Sequence, residues 1–181
     1  MDIKKELDSS QTVLLLMPAI DYNRIIINIL NQLSGQNVCY ITLNKTYNSL
    51  KDLFKKNKMD TSGIVFVDAI SKTIKEVPNQ TKGCYFCSYP GALTEISVMI
   101  SKFLKHNFEY LIFDSLTNLL IYQEKNLVAQ FLSNLANKIR DSKTKAVFYA
   151  LDVKSHDELI KETEMFVDNV IALKDTNNKN K

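Results

Sequence analysis

The feature that most constrains this chain is the run Tyr110-Leu111-Ile112-Phe113-Asp114-Ser115-Leu116. An apolar stretch preceded by the polar Lys105-His106-Asn107 reads as a strand buried on both faces. Such strands occupy the middle of parallel sheets, and their C-terminal ends face the crevice where ligands bind. Asp114 falls at that end. A carboxylate there has two ordinary roles: it holds a divalent cation, or it caps the turn that follows the strand.

The rest of the chain repeats the same grammar. Apolar runs at 12–17, 38–43, 64–68 and 146–151 alternate with segments of helical period, and a last strand is expected over 165–173. Helices are expected at 21–34, 46–58, 91–105, 124–141 and 155–163, the first stopped by Gly35. Residues 71–90 form the longest irregular stretch, with a short strand possible at 84–87. Alternating strands and helices imply an α/β fold with a mainly parallel sheet and helices on both faces. One domain over 12–173 is expected, with a polar lead-in at 1–11 and a disordered polar tail at 174–181.

Composition excludes several classes. The net charge of +3 is too small to argue for nucleic acid, and the lysines interleave with acids without an aromatic stripe. No apolar run of membrane-spanning length exists and the N-terminus lacks a signal-peptide core, so a cytoplasmic protein without membrane attachment is expected. Cys39, Cys84 and Cys87 are an odd set, and Cys84/Cys87 lack a second pair to complete a metal site; they are read as reduced thiols. No metal site is expected. His156-Asp157 is read as a helix cap, since no nucleophile motif accompanies it.

In their order, these parts resemble the RecA/KaiC-like ATPase superfamily, in particular the small KaiC-like domains common in archaea. The resemblance runs over about 12–173. It rests on strand one with Pro18, on Val38 to Thr42, on Val65-Phe66-Val67-Asp68-Ala69, on Leu111-Ile112-Phe113-Asp114-Ser115-Leu116 and on Asp168-Asn169-Val170-Ile171-Ala172-Leu173. It implies a three-layer α/β/α architecture with a RecA-like central sheet, in which Asp114 stands where the family holds Mg²⁺.

A phosphate loop needs glycines whose N–H groups turn inward, a lysine for the phosphates and a Ser/Thr for Mg²⁺. In register with the family, Leu16, Ala19 and Asp21 occupy the glycine positions, Tyr22 the lysine and Asn23 the hydroxyl. Asp21 places a carboxylate at a helix N-terminus and is expected to cap it, where an anion would otherwise sit. Arg24 is adjacent and offsets part of that charge. Where the family carries a catalytic glutamate after its second strand, this chain has Asn44 or Lys45.

The resemblance therefore implies a vestigial site made of Asp21, Tyr22, Asn23, Arg24, Asn44, Asp114 and Ser115, with no catalytic residue and no cofactor. Asp114 is expected to be held by backbone or by Ser/Thr hydroxyls. A non-catalytic domain working through protein contacts, with a partner or with itself, is the primary expectation. Tyr85, Phe86 and Tyr89 of the irregular segment are the contact candidates, with the lysine-bearing helix at 46–58 beside them. The alternative is a nucleotide-binding ATPase or ATP sensor with an atypical loop, taking ATP–Mg²⁺.

Overall fold

A computed structural model describes residues 1–106, 108–152 and 157–174. The framework is an eight-stranded sheet, β1 (Thr12–Met17), β2 (Val38–Thr42), β3 (Ile64–Asp68), β4 (Gln80–Thr81), β5 (Cys84–Phe86), β6 (Tyr110–Asp114), β7 (Lys145–Leu151) and β8 (Asn169–Ala172). Its spatial order is β4-β5-β3-β2-β6-β7-β1-β8, and every pairing is parallel except the short β4–β5 hairpin. The central strands are apolar without alternation because both faces are covered, and β2 and β6 are buried at every position.

Period-two side chains send the core into two halves. On one face Val13, Leu15, Tyr40, Ile112 and Tyr149 pack with helices α1 (Ile3–Ser9), α2 (Tyr22–Gln32) and α3 (Tyr47–Lys56). On the other, Leu14, Ile41, Leu111, Phe113 and Phe148 pack with α5 (Leu93–Lys105), α6 (Leu116–Tyr122), α7 (Lys125–Arg140) and α8 (Asp157–Glu164). The architecture is thus α/β/α, as the alternation implied. Among the described residues no helix is long and apolar enough to cross a membrane.

Several local features sharpen or differ from expectation. The lead-in at 1–11, read as short helical or loose, takes the helical form and is packed into the core: Ile3 and Leu7, one turn apart, are buried, and Asp2 caps the helix by accepting from Lys5 N at 3.1 Å. Within 71–90 the short strand at 84–87 is present as β5, and α4 (Ser71–Ile74) and β4, which were not expected, join it. The helix expected over 124–141 is preceded by a separate one, α6, which begins immediately after Ser115. The last strand is confined to Asn169–Ala172. His156 and the tail from 175 onward lie outside the described residues.

The start of β2 is clamped to that of β3 by Val38 N donating to Gly63 O at 2.9 Å. A Cβ on Gly63 would meet the Gln36 carbonyl oxygen at 2.4 Å. Backbone cannot yield as a flexible side chain does, so Gly63→Ala is expected to cost about 1–3 kcal/mol. A urea midpoint unchanged from wild type would refute this.

Candidate functional site

Three strands and one helix converge on the Asp114 carboxylate. In register, Thr42 of β2 and Tyr149 of β7 flank Asp114, and Tyr40 sits two residues upstream on the same face. α2 begins at Tyr22, above the C-terminal end of β1. Asp114 is fully buried, and its Oδ2 accepts from the Tyr40 hydroxyl at 2.6 Å and from the Tyr22 hydroxyl. Lys45 Nζ lies 5.5 Å from the centre of the Tyr22 ring. Asn44 lies beside the Tyr22 side chain and partly offsets the rise of its phenol.

Burial raises the Asp114 carboxyl to about 6, against the opposing pull of the Tyr22 and Tyr40 hydrogen bonds and the Lys45 charge. Tyr22, Tyr40 and Tyr149 are each pushed up, first by burial and then by the neighbouring Asp114 charge. Tyr22 and Tyr40 therefore serve Asp114 as hydrogen-bond donors and not as bases. Asp114 Oδ1 and the Tyr149 hydroxyl are buried with no hydrogen-bond partner among the described residues.

The expectation of backbone or Ser/Thr partners for Asp114 is corrected: the partners are tyrosines. Period two aims Asp114 at the α2 face, where the hydroxyls of Tyr40 and Tyr22 reach it. Ser115 turns its hydroxyl to Thr117, at 3.1 Å. Asp21 does not cap α2. The chain enters the helix through a 3₁₀ turn, Ala19–Asp21, so Asp21 has φ −95° and ψ −2° instead of the extended backbone a capping side chain requires. Its Oδ1 pairs with Arg24 at 3.1 Å.

Of the seven sequence-derived site residues, Tyr22, Asn44 and Asp114 are brought together, Asp21 and Arg24 form their own pair, Ser115 bonds elsewhere and Asn23 is exposed. Sequence reasoning missed Tyr40 and Tyr149. The available signal was a single hydroxyl-bearing ring inside each of two otherwise apolar strands, since a buried phenol seeks a partner.

The contact candidates separate as well. Phe86 is 8% exposed and belongs to the core, because β5 alternates Cys84 inward, Tyr85 outward and Phe86 inward. Tyr85 is exposed at its rim while packing edge-on to Phe103 at 5.7 Å, and Tyr89 is exposed. Cys84 and Cys87 are buried free thiols, each pushed up to about 12, chiefly by burial. Among the described residues no group of three or more His, Cys, Asp or Glu is placed to hold a metal ion.

Residues 28–181 match the model of a family of unknown function, DUF7125. No curated protein sequence matches the chain. Among solved structures it is similar to the KaiC-like protein PH0186 of the archaeon Pyrococcus horikoshii, with TM-score 0.65 and 15% identity over 92% of this chain and 74% of that one. It is also similar to the uncharacterized protein PH0321 of Pyrococcus horikoshii, crystallised with an unknown peptide, with TM-score 0.71 and 11% identity over 97% and 85%. At these identities the likeness is one of fold: KaiC-like.

Proposed function

We propose that this chain, which belongs to the family of unknown function DUF7125, is a KaiC-like domain that works through protein contacts and not by turning over nucleotide. The observation that carries this reading is the hydroxyl of Tyr22 on Asp114 Oδ2, beside that of Tyr40. By the resemblance, Tyr22 stands at the phosphate-binding lysine and Asp114 at the Mg²⁺ carboxylate. Here the two close on each other, so a phenol ring fills the space between helix and strand that a cation and phosphates would need. An octahedral Mg²⁺ wants accessible oxygens and its own waters. A fully buried carboxylate with one oxygen already accepting two hydroxyls is a poor fit. Asp21 further puts a carboxylate beside the first turn of α2, although Arg24 pairs with it.

In this role the scaffold is kept for its surfaces, and assembly with a partner or another copy is what remains for it to do. The peptide held by PH0321 is consistent with a fold of this kind carrying a polypeptide ligand.

A second reading, an ATP sensor with an atypical loop, is favoured by one observation: Asp114 Oδ1 has no hydrogen-bond partner among the described residues. Titration of ATP–Mg²⁺ by calorimetry separates the two. The expected result is no affinity tighter than about 1 mM, weaker than about −4 kcal/mol. A thermal shift of several degrees at millimolar ATP, absent with adenosine, would establish the sensor instead.

A further inference from the structure

On the side of the sheet opposite Tyr22, helices α5 and α7 leave a furrow between them. Three cavities of about 640, 610 and 580 Å³ line up along it. The first two share Leu93 and Leu127, and the last two share Lys138 and Asp141, so the three open hollows adjoin one another along the furrow. The 13 residues of α5 make it about 20 Å long.

The two ends differ in chemistry. Near the helix N-termini Tyr89, Leu93, Val98 and Leu127 give the wall its apolar surface, Val98 and Leu127 being 51% and 48% exposed, while Glu95 and Gln123 also line it, the Glu95 carboxylate held by Ser88 N and Oγ. Near the C-termini the walls carry Lys105, Lys138, Arg140 and Lys143 against the single carboxylate of Asp141. Arg140 is committed to Asp168 and the Phe166 carbonyl, and Lys138 bridges the helices through Ser97 and Ser101. Among the described residues, Lys105 and Lys143 have no ion-pair partner. Cations in a last helical turn are common because they complement the helix dipole. That explains Lys105 and Lys138. It does not explain Lys143, which lies beyond the end of α7 and still lines the same cavity.

We infer that this furrow docks a peptide segment of a partner protein that is apolar at one end and acidic at the other. Charge complementarity sets the occupant: the basic end accepts carboxylates, and the aliphatic and aromatic end accepts apolar anchors. A nucleic acid would leave Val98 and Leu127 against water. The inference rests on the reading that the protein works through contacts.

The test is selection of a phage-displayed random 14-residue library against the whole protein, followed by fluorescence anisotropy with the enriched peptides. Expected are sequences with apolar residues grouped at one end and Glu or Asp at the other. Leu127→Asp and the pair Lys105→Glu/Lys143→Glu should each weaken binding about tenfold or more while leaving the melting temperature unchanged. No enrichment, basic consensus sequences, or binding indifferent to either variant would overturn the proposal. So would an oligonucleotide that binds through the lysines alone, or a dimer that Leu127→Asp dissociates in sedimentation, which assign the face to nucleic acid or to a second copy. The ATP–Mg²⁺ titration is independent. Tight nucleotide binding there favours the ATP sensor over the protein-contact reading, whereas failure of the selection sinks only the furrow.

Discussion

Asp68→Ala is expected to lower the unfolding free energy by about 3–5 kcal/mol, a large share of the 5–15 kcal/mol typical of a domain. Asp68 ends β3 and is fully buried. Its Oδ1 accepts from Ile70 N at 2.7 Å and Ser71 N at 2.8 Å, and its Oδ2 from Tyr47 N at 2.7 Å and Ser71 Oγ at 2.5 Å. Tyr47 opens α3 and Ser71 opens α4, so one carboxylate satisfies donors at the starts of two helices that have no intrahelical acceptor. Bonds to a carboxylate are worth about 1.5–3 kcal/mol each, and a buried donor left without a partner costs a further 1–3. These terms do not add, because water reaches the Tyr47 side once the carboxylate is gone. Asp68→Asn keeps the shape but turns an amide toward donors on one side, so an intermediate loss is expected. Urea denaturation reads both. If Asp68→Ala stayed within about 1 kcal/mol of wild type, the carboxylate would be a bystander.

The framework was legible because unbroken apolar runs have few alternatives: 12–17, 38–42, 64–68 and 110–114 all became central strands. Short elements were not. Cys84–Phe86 offers three residues of alternation, too few to separate a strand from a loop, and only Ser115 stands between the central strand and the seven residues of α6. Ile3 and Leu7 are only one apolar pair on a polar segment, and their burial depends on α2 and β1 lying where they do.

For the site, the identity of Asp114 and Tyr22 as residues of interest came from their order in the chain. Their direct bond, across 92 positions, is a product of sheet register that no local pattern encodes. The capping role expected for Asp21 failed for a local reason, since side-chain capping depends on the backbone angle at one residue, and Pro18 followed by a 3₁₀ turn set that angle differently. Tyr40 and Tyr149 show the same limit. Each is visible as a polar ring in an apolar strand, yet only the pairing of β2 and β7 with β6 reveals which carboxylate it faces.

Asp114 is expected to act in the opposite sense to Asp68, as a cost that grows with pH. Its carboxyl is raised from 3.8 to about 6, mainly because burial disfavours the charge. The folded protein therefore holds this proton more tightly than the unfolded chain. The stabilisation it contributes is fully present below 3.8 and is lost as pH rises through about 6. Between those limits the change is about 2–3 kcal/mol. Other carboxyls oppose the trend: that of Asp168, for one, is held below its ordinary range by its Thr12 hydrogen bonds and Arg140, against the pull of burial. The raw stability profile is thus a mixture, and the difference between wild type and Asp114→Asn isolates this group. The amide keeps an oxygen for the Tyr22 and Tyr40 hydroxyls but carries no charge at any pH. Relative to that variant, wild type should lose about 2–3 kcal/mol between pH 4 and pH 7 in chemical denaturation and then level off. Adding Mg²⁺ should shift neither protein. A difference that stays flat with pH would mean that the Asp114 carboxyl is not raised by its burial. Stabilisation of wild type alone by Mg²⁺ would mean that its unpartnered Oδ1 binds metal, and that Tyr22 moves aside to let it.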